Sequence, residues 1–277
     1  MTIKFVGGRS VLGSDTSGAT VNIPLNSGLT GGIEASVRTG DMVIVVHSVS
    51  STSDVTLTIR DPSSVAYTLI GSELYSNDTY DTNLRVAYKF MGATPDASLS
   101  FSDNLGGTNG RIATAFVLRG VDSTTPLDVA AVTATNINTG AVDPPSITPV
   151  TSGAAIVAFG AAAHTLGEVY FTFPSGGNGT GWIANSNNTS NDSSQGIVLY
   201  PWTSGAFDPG AWTLTGTTTT DSWASITVAL RPAPRGKIKY WNGSAWIAKP
   251  VKYWNGSAWV TKPLNHWNGS IWIETNY

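Results

Sequence analysis

Six tryptophans near the C-terminus carry the clearest chemical pattern in this chain. Trp241, Trp254 and Trp267 recur every 13 residues, as do Trp246, Trp259 and Trp272, within the units KIKYWNGSAWIAKP, VKYWNGSAWVTKP and LNHWNGSIWIETNY. A flat indole can lie against the apolar face of a sugar ring, while the adjacent asparagines and Lys239 and Lys252 can meet hydroxyls or acidic groups. The same rings could also be the only core available to so short a repeat. Both uses stand open, since one hairpin has two faces.

Other reactive side chains are sparse. The only histidines are His47, His164 and His266, and the first two fall in or at the end of apolar strand-like runs, where a histidine is usually structural. Neither a His-Glu-x-x-His pair nor a Gly-x-Ser-x-Gly elbow occurs, so a metal hydrolase or serine hydrolase would need residues gathered from distant segments. Glycan hydrolysis needs only two facing carboxylates. The candidates are Asp78 and Asp81 in a polar loop, Asp122 and Asp128 around a proline turn, and Glu168 before an aromatic strand. Aspartates in turns normally accept bonds from local backbone N–H groups. Asp78, Asp81 and Asn83 lack the spacing of a calcium loop. No catalytic residue, metal or cofactor is expected.

These side chains must be positioned by β-structure. Asn-Gly flanked by aromatic and β-branched residues is a strong hairpin signal, and each 13-residue unit reads as one hairpin. A two-residue type I′ turn at Asn242-Gly243 places Trp241 opposite Ser244 and Lys239 opposite Trp246. A four-residue loop places Trp241 directly opposite Trp246. Both put the two tryptophans on one face, whereas a three-residue loop would separate them. Isolated hairpins of this size are marginal in water, so they must pack on one another, on the preceding domain or on sister chains.

The preceding residues read as a dozen or so strands. GDMVIVVHSVS and the run at residues 153–163 are continuously apolar, as strands buried on both faces should be. VTLTI alternates. Residues 175–195 are rich in Gly, Asn and Ser and read as an exposed loop. With 12% charged residues, 30 glycines and no long amphipathic stretch, the chain is expected to be all-β. It reads as a two-sheet, jelly-roll-like β-sandwich over residues 1–231, a Pro/Arg/Gly linker over 232–236, and three tandem β-hairpin repeats over 237–277.

Charge divides unevenly. Residues 1–236 carry ten basic and 17 acidic side chains, net −7, and residues 237–277 carry five lysines against Glu274, net +4. An acidic body and so few lysines do not make a phosphate track, and no nucleic-acid partner is expected. The start MTIKFVGGRSVLG has no signal-peptide core, and no apolar run is long enough to cross a bilayer. Synthesis in a cytoplasm without membrane insertion is expected. The absence of cysteine excludes disulfides.

The WNGSAW-x-x-KP repeat resembles C-terminal repeats on virion proteins of tailed bacteriophages and prophages. The segments GDMVIVVHSVS, AYKFMGATPD, ATAFVLRGVDSTTPLD and DSWASITVALRP resemble the β-sandwich of minor tail and fibre-type proteins. The resemblance brings no catalytic residues. It implies a non-catalytic structural and adhesive part of a virion, on the tail surface, made in the bacterial host cytoplasm. Its partners would be other virion proteins, sister chains in a homo-oligomer such as a trimer, and host cell-surface glycan. The alternatives are a capsid-surface fibre or decoration protein, a free carbohydrate-binding protein and, last, a glycan hydrolase.

Overall fold

In a computed structural model of the chain, the described residues are 2–13, 20–103, 105, 109–137, 141–164, 170–174, 180–186, 192–215, 220–234, 238–249, 251–262, 265–267 and 272–274. Their regular structure is entirely β, as expected, and the chain divides into two compact units, Thr2–Pro232 and Ala233–Tyr277.

The strands of the first unit fall into two successive sets. The first set comprises β1 (Lys4–Leu12), β2 (Val21–Pro24), β3 (Met42–Ser51), β4 (Thr58–Arg60), β5 (Thr68–Leu69), β6 (Leu74–Ser76), β7 (Asp81–Phe90), β8 (Ser98–Ser102) and β9 (Arg111–Arg119). The second comprises β10 (Val132–Ile137), β11 (Ala141–Val142), β12 (Ala155–His164), β13 (Tyr170–Thr172), β14 (Thr180–Ser186), β15 (Asp192–Pro201), β16 (Trp212–Thr215) and β17 (Thr220–Leu230).

The two sets share one topology. A large antiparallel sheet runs β1-β9-β3-β7, with β5 and β6 both pairing β7, and its counterpart runs β10-β17-β12-β15-β14. A small sheet runs β2-β8-β4, and its counterpart β11-β16-β13. The register agrees residue by residue. Met42 lies opposite Phe90 and Leu118, as Ala155 lies opposite Pro201 and Leu230. The body is therefore two sandwiches of the same plan, an internal duplication that the two sequences barely betray beyond the pair ATAFVLRG and SITVALRP.

The layering explains the burial. One core fills the first sandwich with Val43, Val45, Ile23, Leu99 and Phe101, and another fills the second with Ile156, Ala158, Val198 and Trp212. A third lies between the two large sheets, where Met42, Ile44, Phe116 and Leu118 meet Val157, Phe159, Ile226 and Val228. Each large sheet thus has apolar neighbours on both faces. Every residue of β3 and of β12 is buried, which is why both read as continuous apolar runs.

Towards one end, the contact between the large sheets turns polar. Gln195 donates to the Val46 and Ile112 carbonyls and to Ser48 Oγ, at 3.3, 2.9 and 2.9 Å, and accepts from Thr114 Oγ1 at 2.8 Å. Thr82 Oγ1 donates to the Ser222 carbonyl and accepts from the Ala163 N–H, at 2.8 and 2.9 Å. These bonds fix how the sandwiches meet, because greasy surfaces alone tolerate sliding whereas buried polar groups must find their partners.

One expectation is overturned here. Within residues 175–195, β14 is a strand that pairs with β15 along seven residue pairs from Thr180↔Leu199 to Ser186↔Ser193, rather than part of an exposed loop. Its Gly, Asn and Ser residues have poor strand propensity, but a buried neighbouring strand supplies the ladder and overrides it. Residues 175–179 and 187–191 lie outside the described residues.

Candidate functional site

The second unit contains three hairpins: β18 (Ile238–Trp241) with β19 (Trp246–Lys249), β20 (Lys252–Trp254) with β21 (Trp259–Thr261), and β22 (Asn265–Trp267) with β23 (Trp272–Glu274). In all three the tryptophans are direct cross-strand partners: Trp241↔Trp246, Trp254↔Trp259 and Trp267↔Trp272. Lys239 pairs with Ala248 and Lys252 with Thr261.

The turn differs from the two-residue type I′ reading. Asn242 donates its N–H to the Ala245 carbonyl at 3.1 Å, enclosing a four-residue Asn-Gly-Ser-Ala loop, and Asn255 does the same with Ala258. Gly243 and Gly256 have φ of 102° and 101°, but neither asparagine has positive φ, which type I′ requires. The asparagine side chain explains the preference. Asn255 Oδ1 accepts from Ser257 N, Ser257 Oγ and Ala258 N at 3.0, 3.1 and 2.8 Å, so one oxygen closes the loop. Asn242 does likewise with Ser244 and Ala245.

The middle hairpin is the best defined. Every residue from 252 to 262 is exposed, and Trp254 and Trp259 retain 54% and 65% of their accessible surface. Their ring centroids are 5.9 Å apart with the planes inclined at 60°, which leaves an open V of two indoles. Lys252 and Thr261 share this face by register. On the opposite face, Lys262 Nζ stands 5.5 Å from the centre of the Tyr253 ring and partly covers it. Trp241 in the first hairpin is likewise 53% exposed. The side chains of Lys239, Trp246, Trp267 and Trp272 lie outside what is described.

The polar candidates in the body are mostly spoken for. Asp81 accepts from Tyr75 Oη at 2.6 Å and from the Asp78 N–H at 2.8 Å, and Asn83 Oδ1 accepts from the Val55 N–H. Asp122 caps the N–H groups of Thr124 and Thr125. Asp128 accepts from the N–H groups of Val150 and Thr151 and pairs with Arg231; these bonds outweigh its burial and hold its carboxyl below the usual range. Among the described residues no group of three His, Asp or Glu is arranged to hold a metal. Glu168 and the His266 side chain lie outside the described residues.

One constellation was not visible in the sequence. His164 Nε2 is 3.1 Å from Ser194 Oγ, and its Nδ1 is 4.0 Å from Asp192 Oδ2, so serine, histidine and aspartate come together at the end of β12. The histidine–aspartate distance is too long for the hydrogen bond that orients a catalytic imidazole, and all three side chains are buried. Burial also holds the His164 imidazole neutral, with its pKa pushed down to about 4. The geometry suits a packed polar cluster. His47, fully buried against Phe101 with ring centroids 4.9 Å apart, is neutral for the same reason, its pKa pushed down to about 3.

A further feature missed by sequence reasoning is an open pocket of about 440 Å³ at one edge of the second sandwich, lined by Ala134, Asn136, Ala141, Asp143, Ala211 and Trp223. Only the internal duplication, read at its correct offset, would have brought those residues together. In comparisons with known proteins, no family model matches the chain, and no curated protein and no solved structure matches it.

Proposed function

We propose that the chain is a non-catalytic structural and adhesive component of a phage particle, carried on the tail surface, with the hairpin unit making contact with host-surface glycan. The observation that carries this reading is the Trp254–Trp259 pair. Two large apolar rings lie opposite one another on an exposed hairpin face, each more than half exposed, with Lys252 and Thr261 beside them. Exposed aromatic surface of this kind is uncommon unless it meets something. Repetition adds to the argument. Three tandem WNGS units offer three similar contacts on one chain, and linked weak sites gain avidity that no single site has. Assembly as a homo-oligomer would multiply the contacts again.

The body suits a scaffold. Its two sandwiches join through an apolar core and a hydrogen-bonded polar seam, with no described cluster that combines a nucleophile, an oriented base and access to substrate. Immunogold electron microscopy of particles released from the bacterial host, with antibody against this chain, tests the proposal. Label on tails is expected. Particles that carry no label, with the chain free in the lysate, would overturn it.

A further inference from the structure

We propose that the open edge of the second sandwich is a binding site for a neutral sugar ring, separate from the hairpins and independent of whether the chain belongs to a phage particle. The internal duplication supplies the comparison. Arg9 lies opposite Ala115 as Val132 lies opposite Thr227, so Gly13 corresponds to Asn136 and Arg111 to Trp223. In the first sandwich this edge is plugged. Arg111 pairs with Asp103 at 2.8 Å, with both side chains at most 5% exposed, and donates to the Leu105 carbonyl at 3.0 Å. Its stem presses so closely on Gly13 that a Cβ there would lie 2.5 Å from it.

In the second sandwich the plug is gone and a pocket of about 440 Å³ stands in its place. That volume is within the roughly 300–1,000 Å³ of small-molecule sites. Three alanines keep the walls low, and Pro145 and the largely buried Trp223 complete the apolar lining. Two polar groups converge on it. Asn136 Oδ1 accepts from the Ile137 N–H at 2.8 Å, which leaves the carboxamide N–H groups to donate. Asp143 is exposed, and among the described residues its carboxylate has no hydrogen-bond or ion-pair partner. A sugar ring matches this set: its hydroxyls donate to Asp143 and accept from Asn136, and its C–H face lies on alanine and indole. No basic side chain lines the pocket, so carboxylated or phosphorylated sugars are disfavoured.

The test is an NMR titration of the ¹⁵N-labelled full chain, separately with glucose, galactose, N-acetylglucosamine and rhamnose, and with glucuronate and methylammonium as comparisons. At least one neutral sugar is expected to shift the Asn136 and Asp143 amides and the Trp223 indole N–H saturably, while glucuronate does not. Asp143→Ala should weaken that binding about tenfold, the loss of one charge-assisted hydrogen bond. Ala211→Trp, at an exposed position, should fill the pocket and abolish binding with the rest of the spectrum unchanged. The double variant Trp254→Ala/Trp259→Ala should leave it intact, which separates this site from the hairpin face. No response to any of the four neutral sugars, undiminished shifts in Ala211→Trp, or a response to methylammonium alone would overturn the proposal.

Discussion

Trp254 and Trp259 face one another directly across a hairpin, 5.9 Å between ring centroids, and both remain more than half exposed. A pair so placed does little to bury a core, and the geometry depends on the loop that joins the strands. Gly256 holds φ at 101° in that loop, with nothing within 4 Å of where a Cβ would stand. Gly256→Val is therefore expected to cost about 1–2 kcal/mol through backbone strain alone, enough to melt a marginal hairpin. The check is loss of the Trp254–Trp259 cross-strand NOEs, with the spectrum of the body unchanged.

Gly160 and Gly196 are cross-strand partners beneath the buried Trp212 ring, and a Cβ on either would stand 2.8 Å from it. The register places His47 and Arg85 at the corresponding positions of the first sandwich, where no indole has to be seated. Gly196→Ala should lower the stability of the body by about 1–3 kcal/mol, as overpacking does, measured by urea denaturation. A neutral effect would mean that the indole has room to shift.

Gln195 joins the two large sheets with four hydrogen bonds. Gln195→Leu keeps the bulk but removes these four bonds, while Thr114 Oγ1 and Ser48 Oγ keep their contacts with Ser10 Oγ and Ser193 Oγ, so the expected loss is about 1–3 kcal/mol in all. A folded protein is expected with a lower denaturation midpoint and faster amide exchange at β9 and β15. Unchanged exchange there would show that the seam is held by packing alone.

The buried histidines set a pH dependence. His47 and His164 have folded pKa values of about 3 and about 4, below the ordinary 6.5, because burial disfavours the charged ring. The unfolded chain then binds more protons between those values, so stability is full above about pH 6.5 and falls as the pH drops towards 4. Each group should cost about 2–3 kcal/mol by pH 4.5. Urea denaturation at pH 7 and 4.5 measures the slope, and His47→Phe, which cannot titrate, should reduce it by roughly half. An unaltered slope in that variant would contradict the assignment.

Much of this fold was legible in the sequence because burial writes directly into strand patterns. The continuous apolar runs of β3 and β12 mark strands covered on both faces, and VTLTI shows its alternation, with Val55, Leu57 and Ile59 buried and Thr56 exposed. What covers β3 and β12 was not legible, since Met42 and Ala155 occupy equivalent positions with unlike side chains, and the duplication survives in register rather than residue type. β14 was hidden by a composition suited to loops. The repeats announced hairpins and the pairing of tryptophans on one face, but Asn-Gly alone could not distinguish a type I′ turn from a loop closed by the asparagine side chain. The His164–Ser194 contact joins β12 to β15 across thirty residues and has no local sequence signal.

The most direct test of the account compares assembled particles carrying the wild-type chain with particles carrying Trp254→Ala/Trp259→Ala, measuring adsorption to host cells alongside thermal unfolding of the two purified chains. If the exposed indoles are a contact face, adsorption falls about tenfold or more while the melting temperature stays within about 2 °C, because little buried surface is lost. Unchanged adsorption with a fall in melting temperature would contradict the account and assign the rings to the fold instead.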